Sequence, residues 1–377
     1  MPGQFGFIIH PLEIDDVARK FGFTRHVPAP LLERALRAAP PIVASHITDI
    51  RSPFNSAEGW FVACPLTSRQ MLSLPQDYVL RKIIAAGRRA QKLGAKVIGL
   101  GAFTSVVGDA GFTVARALDV GVTTGNAYTV AIALEGALAA ARMMDHDPDR
   151  AEFAVLGATG SIGQACARIL ARQVRHLTLI GRSQPRLETL AERILQETGL
   201  VVQTSTDLDS ALPRADVLIT VSSAVEALVE PRHLKPGAVV CDVARPRDVS
   251  RQVAEVRDDV LVIEGGLVEV PGDVNFGFNF GCPPKTCMAC MAETMILALE
   301  ERYEDYALGR DLSVEQIDEI SALAKKHGFR LAGLRSFERG LSEAEVEAVR
   351  QRARQAREGR TAAARPKSFA GNGRRRA

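Results

Sequence analysis

The sequence predicts an α/β fold: a Rossmann-type doubly wound parallel sheet, an N-terminal α/β unit before it and a helical segment after it. Three observations carry this expectation. From Glu152 onward, short continuous apolar runs alternate with amphipathic helical stretches, the pattern of a parallel sheet covered on both faces. The first of those runs ends in the glycine-rich turn "LGATGSIG", which opens a helical stretch. The polar break "DHDPDR" (145–150) separates this rhythm from a different one before it.

Before the break, "FGFIIH" reads as a buried strand and "DDVARKFGF" as helical, with Asp at its start. "PIVASHITDIRS" and "EGWFVACPL" carry the β-branched and aromatic residues of strands. "PQDYVLRKIIAAGRRAQKLGA" is an amphipathic helix: Tyr78, Ile83, Ile84 and Leu93 share a face and Gly94 is placed as its C-cap. "KVIGLGAF" is a buried strand, "TSVVGDAG" a glycine-containing loop, and "TTGNAYTVAIALEGALAAARMM" a long, tightly packed alanine-rich helix. After the break, "EFAVLGATGSIGQACARILARQ" is strand, turn and helix, "HLTLIGR" a strand, "QPRLETLAERILQETG" a helix and "VVQTSTD" a strand. "ADVLITVSSA", "GAVVCDVAR" and "VLVIEGGLVEV" complete the strands; "MAETMILALEERYEDY", "SVEQIDEISALAKKHG" and "SEAEVEAVRQRARQ" return to helix. The expected division is 1–147 for the N-terminal α/β domain, 148–280 for the nucleotide-binding domain, 281–349 for the helical segment and 350–377 for a basic tail.

The chain has 377 residues, enough for two domains with real cores, at an ordinary globular 46% hydrophobic and 24% charged. No apolar run is long enough to cross a membrane. "MPGQFGFIIHPLEIDD" lacks a basic region and a cleavage site, so no signal peptide is expected and the chain reads as cytoplasmic. From Arg350 onward there are ten Lys or Arg and one acidic residue, Glu358. This tail is poor in large apolar residues and is expected to be disordered beyond about residue 360. Without aromatic interleaving or a nucleic-acid fold signature it predicts a solvated tail and no nucleic-acid partner.

The turn "LGATGSIG" spans Gly157, Ala158, Thr159, Gly160, Ser161, Ile162 and Gly163. Gly157 permits the tight turn, Gly160 lets backbone approach a pyrophosphate and Gly163 lets the helix pack on the strand. The N–H groups of Thr159, Ser161 and their neighbours, with the helix dipole, favour phosphate. The next strand ends in Gly181, Arg182 and Ser183, where an NAD enzyme usually carries an acidic residue. Arginine with a hydroxyl suits a 2′-phosphate, so the expected cofactor is NADPH. Ser222 and Ser223, and Gly265 and Gly266, follow later strands and are weaker candidates for cofactor contact.

Cys282, Cys287 and Cys290 fall within "CPPKTCMAC". Their spacing resembles three ligands of an iron–sulfur site, with Cys64, Cys166 or Cys241 as a distant fourth, but zinc-type paired spacing is missing and no metal site is assigned. Cys290 instead opens the apolar helix "CMAETMILALEE", and a helix N-terminus lowers a thiol's pKa. A thiolate there could take an acyl group from a thioester, and hydride could then reduce the enzyme-bound thioester to an aldehyde. The bland reading of each cysteine is a small buried hydrophobe.

The segments "FGFIIHPLEIDDVARKFGF", "LGAFTSVVG", "TTGNAYTVAIALEGALAAA", "LGATGSIGQACARIL", "IGRSQPRLETL", "EGGLVEV", "ACMAETMILALE" and "KKHGF" resemble, in the same order, the long-chain fatty acyl-acyl-carrier-protein reductases of the cyanobacterial, aldehyde-forming type. The resemblance covers roughly 5–334. It implies that Cys290 is the acyl-carrying nucleophile, that NADPH is the cofactor with a reported Mg2+ dependence, and that the substrate is a fatty acyl thioester of acyl carrier protein or CoA. Residues 1–147 then form the acyl-substrate domain. Thr123, Thr124 and Asn126 offer donors at a helix start, against ordinary capping. Lys285 and His327 are weighed as proton-transfer groups against surface positions, and Glu293 as an orienting group against a helix-favouring first-turn acid. The prolines and two further cysteines in "VPGDVNFGFNFGCPPKTCMAC" depart from the family pattern and bear on acyl specificity. Two alternatives remain: a shikimate- or quinate-type dehydrogenase, which would need a Lys–Asp pair such as Lys82 and Asp109, and a non-catalytic NADP-binding regulator with a metal- or redox-sensing cysteine cluster.

Overall fold

The computed structural model describes residues 1–364 except 223, 225, 245–246 and 338; the side chains of 19 and 359–364 are also left aside. The first unit holds strands β1 (Gly3–Ile9), β2 (Ile42–Arg51), β3 (Ser56–Ala63), β4 (Val97–Leu100) and β5 (Gly121–Thr123). Its helices are α1 (Ala29–Ala38), the short α2 (Ser68–Ser73), α3 (Gln76–Lys92), the short α4 (Phe112–Ala115) and the long α5 (Asn126–Met143). β3, β1, β4 and β5 run parallel, and β2 pairs antiparallel to β3 as a hairpin. Where "DDVARKFGF" predicts an α-helix, two 3-10 turns, Ile14–Arg19 and Gly22–His26, take its place. α1 was not anticipated.

The second unit is the doubly wound sheet. Its strands are β6 (Glu152–Leu156), β7 (His176–Ile180), β8 (Gln203–Ser205), β9 (Val217–Thr220), β10 (Val239–Asp242) and β11 (Leu261–Glu264), in the order β11-β10-β9-β6-β7-β8 and all parallel. α6 (Ser161–Leu170), α7 (Gln184–Thr198) and the short α8 (Leu208–Ala211) and α9 (Arg251–Val256) connect them. The strand order reverses between β6 and β9, and ligands of such sheets lie at the carboxyl ends of the strands at that switch point. α5 packs on this sheet as well: Ala133 touches the positions of Cys241 and Gly265.

The stretch "VLVIEGGLVEV" divides in two. Gly266 has φ +103°, which turns the chain out of the second sheet after β11 and into β12 (Leu267–Glu269). β13 (Gly272–Asn275) then pairs antiparallel to β2 at the edge of the first sheet, and β14 (Thr286–Met288) pairs with β12. β14 runs into α10 (Ala289–Leu299), which is followed by α11 (Val314–His327) and α12 (Glu343–Ala364). The backbone is thus helical through Ala364, and the rest of the basic tail lies outside the described residues.

α10 fills the space between the first sheet and α5. Successive β1 side chains point to opposite faces. Phe5 and Phe7 pack with α10, whereas Ile8 packs with α3. The contact with α10 needs glycine: a Cβ on Gly3 would stand 2.0 Å from the Ala298 carbonyl oxygen, and one on Gly99 would stand 2.0 Å from Thr294 Oγ1. The helix ends sooner than its sequence predicts. "EERYEDY" leaves it at Glu300, Glu301 takes φ +54°, and Tyr306 donates its N–H to Val122 of β5 at 2.9 Å.

Candidate active site

Ten of the eleven α10 residues are buried; the exception is Cys290, which is half-buried at the first turn. Two contacts fix where that turn lies. The Ala289 N–H donates to the Gly266 carbonyl at 2.7 Å, so α10 starts at the carboxyl end of β11. From the other side Gly125, at the head of α5 with φ +73°, lies against Cys290 so closely that a Cβ there would sit 2.3 Å from the Cys290 Cβ. The "TTGN" and "ACMAE" segments therefore meet directly, between the two sheets.

Glu293 locks this meeting. It is fully buried, and its carboxylate accepts from the Thr123 hydroxyl and, at 2.7 Å, from the N–H of Tyr128. Thr123 Oγ1 in turn accepts the Gly125 N–H at 3.1 Å, and Thr124 donates to the Ala307 carbonyl at 2.5 Å. Burial pushes Glu293 up to about 7, against the hydrogen bonds from Thr123 and the N–H of Tyr128. The consequence for Cys290 differs from the sequence expectation. Burial first, and then the Glu293 carboxylate, push the thiol up to about 12, while the Met291 N–H favours the anion. The helix start is present, but burial outweighs it and favours the thiol.

The glycine turn is formed as the motif predicts. Gly157 has φ +83° and lies against the Ser222 backbone, where a Cβ would stand 2.9 Å from its nitrogen. A Cβ on Gly163 would stand 2.2 Å from the Gly157 carbonyl oxygen, so this glycine permits the close helix–strand approach. A Cβ on Gly160 would meet only that same oxygen, at 3.3 Å: Gly160 faces open space, and its missing side chain leaves a cradle that a pyrophosphate fits. Ala158 is buried and donates its N–H to Ile180 at 3.1 Å. Ile162 packs on the core beside it, and Ser161 Oγ reaches the Gly309 carbonyl at 3.5 Å.

Arg182 is exposed after β7, and Ser183 heads α7 without a side-chain capping bond. Arg186, missed from the sequence, stands beside them: its guanidinium donates to the Thr159 carbonyl at 2.9 Å and so overhangs the turn. On the opposite side of β6, Ser222 is already engaged. Its N–H donates to Asp248 at 2.8 Å, its hydroxyl also donates to Asp248, and the hydroxyl accepts the Ala224 N–H at 3.1 Å. Ser222 is therefore held in a buried network with Asp248, Asp242 and Thr220, rather than presenting free polar atoms to a cofactor. Ser223 lies outside the described residues. β11 is three strand spacings from β6, roughly 14 Å. The arginines flank the turn on the β7 side, and Cys290 lies in the first turn of the helix that starts at the carboxyl end of β11.

Other candidates are not brought here. Lys285 is exposed and bound to Asp273 at 2.6 Å. His327 is buried rather than on the surface, between Ser52 at 2.8 Å and Glu300 at 2.5 Å. Glu300 follows the far end of α10, roughly 15 Å from Cys290 along the helix. Cys287 is buried, with its thiol pushed well above the usual value by burial first and then by Cys282 and Cys290. Cys64, Cys166 and Cys241 are buried in the two cores. Among the described residues no group of three or more His, Cys, Asp or Glu is arranged to hold a metal ion, so the Mg2+ dependence that the resemblance implies finds no support. No described helix is long and apolar enough to cross a membrane.

The chain is 30% identical over 353 residues to aminotransferase PigE of Serratia sp., an alignment covering 89% of this chain; the chain spans about 40% of PigE. It is 28% identical over 346 residues to the long-chain acyl-[acyl-carrier-protein] reductase of Synechococcus elongatus, covering 87% of this chain and 98% of that protein. A solved shikimate 5-dehydrogenase from Listeria monocytogenes aligns at 12% identity over 85% of this chain and 96% of its own, with a TM-score of 0.37. Residues 138–264 match the family model of shikimate / quinate 5-dehydrogenase, which places an oxidoreductase-type nucleotide-binding unit on the stretch that carries the glycine turn.

Proposed function

We propose that this chain reduces a fatty acyl thioester, carried by acyl carrier protein or CoA, to a fatty aldehyde with NADPH, through an acyl group held on Cys290. The observation that carries this reading is the burial of α10. A helix enclosed on every side opens at one residue, a cysteine, at the carboxyl edge of the nucleotide-binding sheet. The similarity to the Synechococcus elongatus reductase over nearly its whole length supports the same chemistry.

Gly157–Gly163 would hold the pyrophosphate, and Arg182 and Arg186 the 2′-phosphate. Cys290 Sγ bonds to the acyl carbonyl carbon as the bond to the departing sulfur breaks; the Cys290 proton ends on the carrier or CoA thiol. Bound NADPH supplies the hydride that, with one proton, converts the enzyme thioester to aldehyde and restores the Cys290 thiol. The N–H groups of the α10 first turn favour negative charge on the sulfur and on a carbonyl oxygen beside it. Gly125 and the Glu293–Thr123 tie close one side of the half-buried Cys290.

The test is intact-protein mass spectrometry after mixing with palmitoyl-CoA or palmitoyl-acyl carrier protein without NADPH, followed by gas chromatography after NADPH is added. The expected result is an acyl adduct on Cys290 and aldehyde on reduction, both lost in C290S. Adduct and aldehyde that persist in C290S would remove the reading.

The family match favours a dehydrogenase of shikimate or quinate as the second reading. Its Lys–Asp pair is not formed by Lys82 and Asp109. Lys82 donates to the Ala39 carbonyl at 2.7 Å, while Asp109 is held by Thr113 and Arg116. Oxidation of shikimate or quinate by the purified protein, without acylation, would favour it.

A further inference from the structure

We propose that Glu293 is a positioning residue whose carboxylate, fixed at the join between α10 and α5, reinforces burial in restraining the Cys290 thiol from ionising. The proposal deepens the function above, because it takes Cys290 as the reacting group, but it is tested on the thiol alone.

Glu293 lies three residues after Cys290, so the two share one side of the helix. Its carboxylate crosses to the head of α5, where Thr123 and the Tyr128 N–H bind it. α5 has no side-chain cap of its own, since Gly125 stands at that position. A residue of another helix thus satisfies the helix start, and the glycine that replaces the local cap is the one pressed against Cys290. No ion pair to Glu293 forms among the described residues; its partners are uncharged donors. Among the described residues, the titratable groups that interact with its charge are Cys290 on its own helix and Tyr306 from the segment beyond α10, while Cys282 and Cys287 face Cys290. Its charge therefore falls on the thiol without a cation to cancel it, in surroundings where a unit charge is weakly screened.

A cap would serve the fold in either protonation state. The charge has a separate consequence. Glu293 titrates near pH 7, and its ionisation raises the barrier to losing the Cys290 proton. Burial and this charge together keep a reactive sulfur between two sheets as a thiol until an acyl donor enters, and thiols are oxidised far less readily than thiolates.

The experiment measures the rate of Cys290 alkylation by iodoacetamide from pH 5.5 to 9.5, in wild type and E293Q, with the labelled cysteine identified by peptide mass spectrometry and folding checked by circular dichroism. In wild type the logarithm of the rate is expected to rise with pH, flatten just above pH 7 as Glu293 ionises, and rise again. In E293Q the flattening disappears. At pH 8 the thiol reacts about threefold to tenfold faster, tenfold for each pK unit recovered and less for the lower nucleophilicity of the thiolate formed. A straight wild-type profile, or an E293Q profile unchanged or shifted to higher pH, overturns the proposal. The wild-type curve decides the matter even if E293Q does not fold. Absence of acyl transfer in the preceding assay would remove the proposed reaction while leaving this measurement intact.

Discussion

Gly125 and Cys290 touch backbone to backbone: a Cβ on Gly125 would stand 2.3 Å from the Cys290 Cβ and 2.4 Å from its Cα. Neither atom belongs to a flexible side-chain end, so an added methyl group must push α5 and α10 apart. The φ of +73° at Gly125 adds a second penalty for any other residue. G125A is expected to lose about 2–4 kcal/mol of stability, from overpacking and backbone strain together. Urea unfolding measures the loss. Iodoacetamide labelling should show Cys290 reacting faster in G125A, because the separation opens the sulfur to water.

Two glycines of the nucleotide turn separate binding from folding. The Cβ of G163A would meet the Gly157 carbonyl at 2.2 Å, so α6 must shift on β6, at a cost of about 1–3 kcal/mol. The Cβ of G160A meets only that oxygen, at 3.3 Å, and otherwise projects into the cradle. G160A should unfold within about 0.5 kcal/mol of wild type yet bind NADPH at least tenfold more weakly, whereas G163A should lose stability as well. Thermal unfolding and fluorescence titration with NADPH tell the two apart.

What was legible in the sequence was local. The glycine turn and the helix that follows it are written in adjacent residues, and the apolar runs of the second sheet need no distant partner to be read. The surroundings of Cys290 were not legible in this way. Its helix start is a sequence feature, but Glu293 meets Thr123 across 170 residues, and burial with that carboxylate reverses the expected direction of the thiol's pKa. Composition also misled where one residue's backbone decides. "VLVIEGGLVEV" suits one strand until Gly266 takes φ +103°, and "EERYEDY" suits a helix until Glu301 takes φ +54°. The Asp242–Asp248 network escaped because its members close a loop over the strand ends rather than forming a motif.

Arg182 and Arg186 flank the glycine turn from the β7 side, and Arg186 is anchored on the Thr159 carbonyl. Receiving a 2′-phosphate, each would supply part of the preference for NADPH over NADH. R182A and R186A should each weaken NADPH binding by about tenfold to a hundredfold, the range of a charged hydrogen bond, and leave NADH nearly unchanged. R186A also releases the turn, so a small loss with both cofactors is expected there. Titration of both nucleotides checks this; NADH binding at least as tightly as NADPH in wild type would contradict the assignment.

Asp248 makes stability depend on pH. It is fully buried, and burial, reinforced by the nearby Asp242 carboxylate, pushes it up to about 6 against the hydrogen bonds from Ser222. The folded protein therefore holds this proton more tightly than the unfolded chain, whose aspartates titrate near 3.8. The contribution is complete below about pH 4 and is lost as pH rises through about 6, a change on the order of 2–3 kcal/mol. Glu293, raised to about 7, acts with the same sign over a window that reaches higher pH. In D248N the first part of this decline should vanish. The urea midpoint of wild type should fall between pH 4 and 6 relative to D248N, and the two curves should run parallel above pH 7. The asparagine amide nitrogen would face either the Ser222 N–H or the Ser222 hydroxyl, both of which donate to Asp248. D248N should therefore also loosen the loop that follows β9, which hydrogen exchange at Ser222 and Ala224 would report as faster opening.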